Sequence, residues 1–222
     1  MKKIEKANAG FLFDMDGLLI NSETIAHHVF QDLCSLNGGN FTNEIHSEIL
    51  GTESEYWSLY VVQECKLSLS SEEFQKEFQI QFEKRLRSEI ALMPGALELI
   101  NWVEEKRYKK CLVTSSGLDM TLKNLGSLDL LNVFNHRVTA EISPKGKPEP
   151  DPYLMGASFL DCAPSDCIVF EDSSSGTISG KRANCTVIAV PTVFANRSGF
   201  SDADYILDSL EEVIPVLEGL GL

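Results

Sequence analysis

The strongest constraint on the fold of this chain is the alternation of short apolar runs with longer amphipathic stretches. The apolar runs predict mostly buried strands at 9–13, 111–114, 137–139, 167–170, 187–190 and 205–207. The amphipathic stretches predict helices at 94–106, 119–130, 151–160, 174–183 and 210–217. Strands and helices that take turns in this way form a mostly parallel sheet with helices on both faces. The sequence therefore predicts an α/β, Rossmann-like core whose ligands bind beyond the carboxyl ends of the strands.

The stretch from 21 to 89 interrupts this alternation. It contains no convincing strand, and it has helical patterns at 23–36, 44–50, 55–65 and 71–86. A wholly helical block between the first and second strands predicts a small all-helical cap domain, inserted so that it covers the ligand site. The predicted domains are a core of residues 1–20 and 90–222 and a cap of residues 21–89.

Composition excludes several classes of protein. The 222 residues are 43% hydrophobic, which is enough for one sizeable core. A formal net charge of −14 disfavours nucleic acid as a partner, because nucleic-acid phosphates attract basic surfaces. No apolar run reaches the roughly 20 residues of a membrane span, and the N-terminus does not resemble a secretory signal. We therefore expect a soluble, cytoplasmic monomer with no membrane partner, whose cysteines stay reduced and bind no zinc.

Two carboxylates follow the first predicted strand. Asp14 stands at its end, and Asp16 comes two residues later. Carboxylates this close repel each other unless a cation lies between them or one of them is protonated. Such a pair suits phosphoryl transfer, in which one aspartate attacks phosphorus beside Mg²⁺ and the other protonates the leaving oxygen. A turn rich in Asp and Gly is the alternative interpretation of this segment.

Hydroxyl groups and a lysine follow further along the chain. Thr114 and Ser115 lie where the second strand ends, which predicts a phosphate-binding site. Helix capping is the alternative interpretation. Lys147 precedes a proline-rich segment at 148–152, which would hold its ammonium group in place. Lys145 competes for the same role, and a solvated loop lysine is the alternative for Lys147.

An acidic pair, Glu171 and Asp172, follows the fourth apolar run. Carboxylate oxygens suit Mg²⁺, so the pair predicts metal ligands. Capping of the next helix by Asp172 or Ser173 is the alternative, and the two roles are compatible. Each of these segments is weak evidence alone. Together, in this order and at strand ends, they predict a site for phosphoryl transfer.

These segments also carry a family resemblance that covers essentially the whole chain. The chain resembles the haloacid dehalogenase superfamily, in the branch with a helical cap after the first strand, and within it β-phosphoglucomutase-like and pseudouridine-5′-phosphatase-like proteins. The matching segments are Phe13 to Leu19 with Ser22-Glu23, Met93-Pro94-Gly95-Ala96, Thr114-Ser115-Ser116, Gly146 to Asp151, and Phe170 to Gly176.

The resemblance implies a role for each matched residue. Asp14 is implied to be the nucleophile that becomes phosphorylated. Asp16 is implied to be the acid and base, and its backbone carbonyl to bind Mg²⁺. Thr114 and Lys147 are implied to bind the transferring phosphoryl group, with Ser115 beside them. The predicted metal ligands are Asp14, Asp16, Asp172 and Glu171.

The predicted function is a Mg²⁺-dependent phosphatase that hydrolyses a small phosphorylated metabolite, a sugar or nucleoside phosphate, through an aspartyl phosphate. A phosphomutase of the β-phosphoglucomutase type is the first alternative. It is poorly supported, because Ser54 stands three residues after Gly51, where the mutases carry the arginine that grips a second phosphate. A non-catalytic protein that binds a phosphometabolite is the second alternative.

The histidines and the aromatic residues of the predicted cap receive simpler interpretations. No histidine has a serine or cysteine partner typical of a triad, so we expect all four at the surface. They are His27, His28, His46 and His136. The aromatic residues between 30 and 82 recur at helical spacing, so we expect most of them in the cap core and one or two at the site. Asn184 follows a predicted helix and tolerates a left-handed backbone there.

Overall fold

The structure is a computed structural model that describes residues 8–222. Within this range six strands form a sheet in the order β3-β2-β1-β4-β5-β6, and every pairing is parallel. The strands are β1 Gly10–Phe13, β2 Lys109–Val113, β3 His136–Val138, β4 Cys167–Glu171, β5 Thr186–Ala189 and β6 Tyr205–Ile206. The predicted α/β fold is confirmed.

Helices connect the strands and form the segment between β1 and β2. They are α1 Ser22–Leu36, α2 Asn43–Ile49, α3 Ser54–Glu64, α4 Ser71–Glu89, α5 Ala96–Glu105, α6 Leu118–Ser127, α7 Asp151–Phe159, α8 Ser174–Arg182 and α9 Val213–Gly219. The predicted helix at 210–217 begins as a 3₁₀ turn, Leu210–Glu212, before α9. Asn184, after α8, has a φ of 67°, the left-handed conformation that the sequence predicts.

Helices cover both faces of the sheet, so the side chains of a strand, which point alternately to one face and the other, are buried on both. Phe11 and Phe13 of β1 pack in the apolar cluster that contains residues of α5, α6 and α9. Leu12, between them, packs on the other face with α7 residues such as Tyr153. Among the described residues, no helix combines the length and the apolar character needed to cross a membrane.

The four helices α1 to α4, which we call the helical insert (residues 22–89), have an apolar core of their own. Phe30, Phe74 and Phe78 are buried there, and the rings of Phe30 and Phe78 stack with centroids 4.2 Å apart. This confirms that most of the aromatic residues are core residues. Tyr56 is an exception, with half of its surface exposed.

The two chain crossings between the helical insert and the sheet lie side by side. Asn21 links them, because its Nδ2 donates to the Glu89 carbonyl oxygen at 3.0 Å and its Oδ1 accepts from the Ala91 N–H at 2.8 Å. Ile20 and Leu92 also form an antiparallel bridge. The division into a core and a cap domain, with boundaries next to these crossings, stays a prediction, and residues 1–7 of the predicted core lie outside the described residues.

Candidate active site

A cavity of about 500 Å³ lies between the carboxyl ends of the strands and the helical insert. We call its two sides the core wall and the insert wall. The core wall includes Asp14, Asp16, Thr114, Ser115, Ser116, Lys147 and Asp172. The insert wall is lined by Ser22, Glu23, Ser47, Leu50, Gly51, Thr52 and Phe82. The structure thus brings all but one of the predicted site residues together, and Phe82 is an aromatic residue of the insert that reaches the site.

Asp14 and Lys147 form a buried ion pair on the core wall. Asp14 follows β1, where its N–H donates to the Phe170 carbonyl oxygen at 3.1 Å. The Lys147 ammonium contacts an Asp14 oxygen and also donates to the Val113 carbonyl oxygen at 3.1 Å. Its side chain is 5% exposed, whereas Lys145 is exposed and does not line the cavity. Of the two candidate lysines, the structure therefore places Lys147 at the site.

The ion pair changes the pKa of both partners. Burial lowers the pKa of Lys147, but the carboxylates of Asp14 and Glu171 outweigh it and hold this pKa above its ordinary value. Burial raises the pKa of Asp14 well above its ordinary value, and the neighbouring carboxylates add to this, while Lys147 opposes it only in part. Asp14 therefore depends on nearby positive charge to stay ionised.

Asp16 has a different environment, in which hydroxyl groups are the donors. Its Oδ2 accepts hydrogen bonds from Thr114 Oγ1 at 3.2 Å and Ser116 Oγ at 2.7 Å. Burial raises the pKa of Asp16, and the hydrogen bonds from Ser116 and Ser22 only partly oppose it. A raised pKa keeps more of the carboxyl group protonated, as a proton donor requires. The sequence did not indicate this role for Ser116, although it belongs to the same hydroxyl run as Thr114.

Thr114 and Ser115 lie on the core wall beyond the end of β2. Thr114 is not a helix cap, because α6 begins four residues later and its N-cap residue is Gly117. Ser115 is exposed to the cavity. Capping does describe Ser173, whose side chain accepts from the Gly176 N–H at 3.1 Å.

Asp172 faces Asp14 across the end of the sheet. It is 6% exposed, and no described residue donates a hydrogen bond to its carboxylate. Burial raises its pKa well above the ordinary value, and repulsion from Asp14 and Glu171 adds to this. Gly17, with a φ of 80°, lets the loop after β1 approach, since a Cβ there would lie 2.0 Å from Asp172 Oδ2.

Glu171 lies behind the core wall, which differs from its predicted role as a metal ligand. It is fully buried and does not line the cavity. Its Oε1 accepts from Lys147 Nζ and Tyr153 Oη, both at 2.5 Å, and its Oε2 accepts from the Ser173 N–H at 3.0 Å and Oγ at 2.8 Å. Protein donors therefore engage both of its oxygens. Its position in β4 explains this, because it points to the same face as Val169, where α7 packs.

The site holds more negative than positive charge, which bears on the predicted metal. Among residues 8–222, we find no group of three or more His, Cys, Asp or Glu side chains arranged to bind a metal ion. Two buried carboxylates, Asp14 and Asp172, do face the cavity and repel each other. A divalent cation would relieve this repulsion, and carboxylate oxygens suit Mg²⁺. The two carboxylates fit such an ion if backbone, substrate or water oxygens complete its ligands.

Two of the four histidines are buried, so the prediction of a surface position is wrong for them. His27 is 5% exposed and His46 is 1% exposed. They tolerate burial because their Nδ1 atoms lie 2.9 Å apart, so that each ring has a polar partner. The His27 ring also stacks on Phe194, with centroids 4.2 Å apart. His28 and His136 are exposed, as predicted.

Comparison with known proteins places this geometry in a family. The profile of the haloacid dehalogenase-like hydrolases matches residues 11–190. Hexitol phosphatase A of Escherichia coli is 31% identical over 208 residues, which span 92% of this chain and 92% of that protein. A Drosophila melanogaster protein named "Probable pseudouridine-5'-phosphatase" is 33% identical over 94% of this chain and 93% of its own length.

Solved structures agree with this assignment. A haloacid dehalogenase family hydrolase from Deinococcus radiodurans, crystallised with phosphate and sodium, has a TM-score of 0.86 at 22% identity and covers 98% of each chain. β-Phosphoglucomutase from Clostridium difficile has a TM-score of 0.73 at 20% identity, covering 96% of this chain and 97% of that one. These structures share the fold, and the sequence matches above carry the family. This chain therefore belongs to the haloacid dehalogenase-like hydrolases and is a phosphatase, a hydrolase of phosphoric monoesters.

Proposed function

We propose that this phosphatase depends on Mg²⁺ and hydrolyses a small phosphorylated metabolite, a sugar or nucleoside phosphate, through an aspartyl phosphate on Asp14. The observation that carries the proposal is the contrast between Asp14 and Asp16 on one wall of the cavity. Asp14 contacts an ammonium group, whereas Asp16 contacts hydroxyl groups. Positive charge stabilises the ionised form that attacks, and its absence favours the protonated form that donates.

The reaction follows from these two environments. An Asp14 oxygen attacks phosphorus, the bond from phosphorus to the ester oxygen breaks, and Asp16 gives its proton to that leaving oxygen. Asp16 then takes a proton from water, and the resulting hydroxide attacks phosphorus. The bond between phosphorus and Asp14 breaks, and inorganic phosphate leaves. In both steps Thr114, Ser115 and Lys147 bind the phosphoryl oxygens, since they lie on the same wall.

The Mg²⁺ ion would be held by the carboxylates of Asp14 and Asp172 and the backbone carbonyl of Asp16. When bound, it supplies positive charge between the anionic nucleophile and the phosphate. We assign Glu171 a different role from the predicted one. Because it accepts from Lys147 Nζ at 2.5 Å and is itself engaged by Tyr153 and Ser173, it positions the ammonium group rather than the metal.

The helical insert would act as a cap domain over this chemistry. Its separate apolar core and its paired crossings at Asn21 and Ala91 support movement of the insert as a unit. Closure would exclude bulk water from the aspartyl phosphate.

The insert wall supports a neutral leaving group that carries hydroxyls. Within the described residues, Lys147 on the core wall is the cation that lines the cavity, and the insert wall contributes hydroxyl groups from Ser47 and Thr52. The names of two relatives, hexitol phosphatase A and pseudouridine-5′-phosphatase, refer to alcohols of this kind.

Phosphate release from a panel of sugar, polyol and nucleoside monophosphates, with Mg²⁺ and with excess chelator, tests the proposal. We expect turnover of at least one member with Mg²⁺, none with chelator, and a phosphorylated Asp14 after an acid quench. Full activity in chelator, or no Mg²⁺-dependent release from any ester, would contradict it.

A further inference from the structure

Glu23 is a carboxylate at the cavity that the proposed reaction does not use. It lies in the first turn of α1, lines the insert wall, and has 29% of its side chain exposed. No described residue donates a hydrogen bond to it, and its contact with His46, at 3.6 Å from Nε2 to Glu23 Oε2, is at ion-pair distance and beyond hydrogen-bond distance. Its oxygens therefore retain the capacity to accept hydrogen bonds from a ligand.

A packed row of side chains fixes the direction of Glu23. His46 stands behind it, almost fully buried, with its Nδ1 atom 2.9 Å from the Nδ1 of His27. His27 is in turn stacked on Phe194, which belongs to the loop after β5. On its other side Glu23 packs against the loop after β1, because a Cβ on Gly17 would lie 2.9 Å from Glu23 Cγ. The carboxylate is thus held at the cavity and near the reacting end.

The charge of Glu23 acts on whatever enters this cavity. It lines the same cavity as Asp16 and Asp172, and like charges within one cavity repel each other. A second phosphate or a carboxylate on the substrate would be repelled in the same way. A hydroxyl group would instead donate a charge-assisted hydrogen bond to it.

We propose that Glu23 selects the substrate: it accepts hydrogen bonds from hydroxyl groups of the leaving group and disfavours leaving groups that carry a second anion. This inference rests on the proposed function and identifies Glu23 as the residue that recognises the leaving group. The hydroxyl groups of Ser47 and Thr52 on the same wall fit such a ligand. A hydroxyl-rich alcohol is the chemical class that satisfies all three residues.

The test compares esters that share the phosphate and differ in the leaving group. Wild type, Glu23→Gln and Glu23→Ala are assayed with the hydroxyl-bearing monophosphate that the wild type hydrolyses fastest, and with phenyl phosphate, which has no hydroxyl. The measured quantity is the kcat/KM for the hydroxyl-bearing ester divided by the kcat/KM for phenyl phosphate. We expect both variants to lower this ratio by about 10-fold to 100-fold, because each loses a charge-assisted hydrogen bond. Glu48→Gln is the matched control, because Glu48 is exposed on α2 and outside the cavity.

A second arm measures the effect of charge. The ratio of kcat/KM for fructose 1,6-bisphosphate to that for fructose 6-phosphate should rise about tenfold in Glu23→Gln and stay unchanged in Glu48→Gln. If folded Glu23 variants, checked by circular dichroism, leave both ratios unchanged, the selectivity proposal is overturned while the proposed function stands. If the wild type hydrolyses no monophosphate with Mg²⁺, the proposed function fails, and the selectivity proposal with it.

Discussion

The two walls of the cavity are built from different kinds of residue on different kinds of support. The core wall combines buried carboxylates, hydroxyl groups and one ammonium group at the ends of parallel strands. The insert wall presents small, apolar and hydroxyl side chains on helices and on the turn at residues 50–52 after α2, together with the single carboxylate of Glu23. In the proposed reaction the sheet therefore supplies the reacting groups, and the insert contacts the leaving group.

Their supports explain why the roles divide in this way. β1 is hydrogen-bonded to β2 on one side and to β4 on the other. Asp14 directly follows β1, so its position is fixed by a strand that is paired on both sides. The insert has an apolar core separate from that of the sheet, centred on Phe30 and Phe78. Ser22 and Glu23 contact the loop after β1, but the other residues of the insert wall can change with less effect on the positions of the reacting groups.

The largest effect should come from the core wall. Asp14→Asn keeps the shape of the side chain but removes the nucleophile, so we expect kcat to fall by at least about 10³-fold. Asp161→Asn is the control, since Asp161 is an exposed residue that follows α7. Steady-state release of inorganic phosphate measures the loss. Turnover of Asp14→Asn within tenfold of the wild type would remove the nucleophile assignment.

Asp172→Asn should have the next largest effect. It removes one of the two cavity carboxylates proposed to hold Mg²⁺, so we expect kcat to fall by about 10²-fold at saturating substrate or the Mg²⁺ concentration for half-maximal rate to rise similarly. Asp202→Asn, at an exposed position, is the control. A titration of activity against Mg²⁺ makes the measurement. An unchanged titration curve would show that Asp172 does not serve the metal.

The insert wall separates the phosphatase from the mutase alternative. A mutase must hold a bisphosphate in two orientations, and the described insert wall has no cation opposite Lys147. A charged contact of the arginine type contributes about 1.5 to 3 kcal/mol, which is roughly a tenfold to hundredfold change in affinity. With Mg²⁺ and priming bisphosphate, we expect β-glucose 1-phosphate to yield inorganic phosphate faster than glucose 6-phosphate. Phosphorus NMR measures this product ratio, and the opposite ratio would support the mutase.

The smallest effect concerns the contact between the two regions at His27 and Phe194. Burial, with repulsion from His46 and His28, lowers the pKa of His27 from 6.5 to about 4. The unfolded chain therefore takes up a proton below about pH 6.5, while the folded chain keeps His27 neutral until about pH 4. The contribution of neutral His27 to the free energy of unfolding is fully present above about pH 6.5. It falls as the pH decreases from about 6.5 to about 4, by at most about 1.4 kcal/mol per pH unit.

Urea unfolding at several pH values tests this, with His27→Phe and His28→Phe compared with the wild type. We expect His27→Phe to reduce the pH dependence of the unfolding free energy between pH 6.5 and 4, and His28→Phe, at an exposed position, to leave it close to that of the wild type. Equal slopes in all three proteins would show that burial of His27 has no energetic consequence.

The sequence by itself determined the architecture and most of the site. Apolar runs and helical periodicity have a local physical cause, so each of the six predicted strands begins and ends within two residues of its observed position. Asp14, Thr114 and Asp172 follow strands directly, Asp16 comes two residues after Asp14, and the ends of parallel strands meet at one edge of a sheet. Strand position alone therefore brought these residues to one cavity.

Only the tertiary structure decided what each polar side chain contacts. Glu171 and Asp172 are neighbours in the chain, yet Glu171 turns to Lys147 and Tyr153 behind the core wall while Asp172 faces the cavity. His27 and His46 lie 19 positions apart and become buried because each provides the other's polar partner. The cost of burying a polar group depends on the partners it finds, and those partners are distant in sequence. A local pattern can place a residue at the end of a strand, but it cannot specify the partners that its side chain meets there.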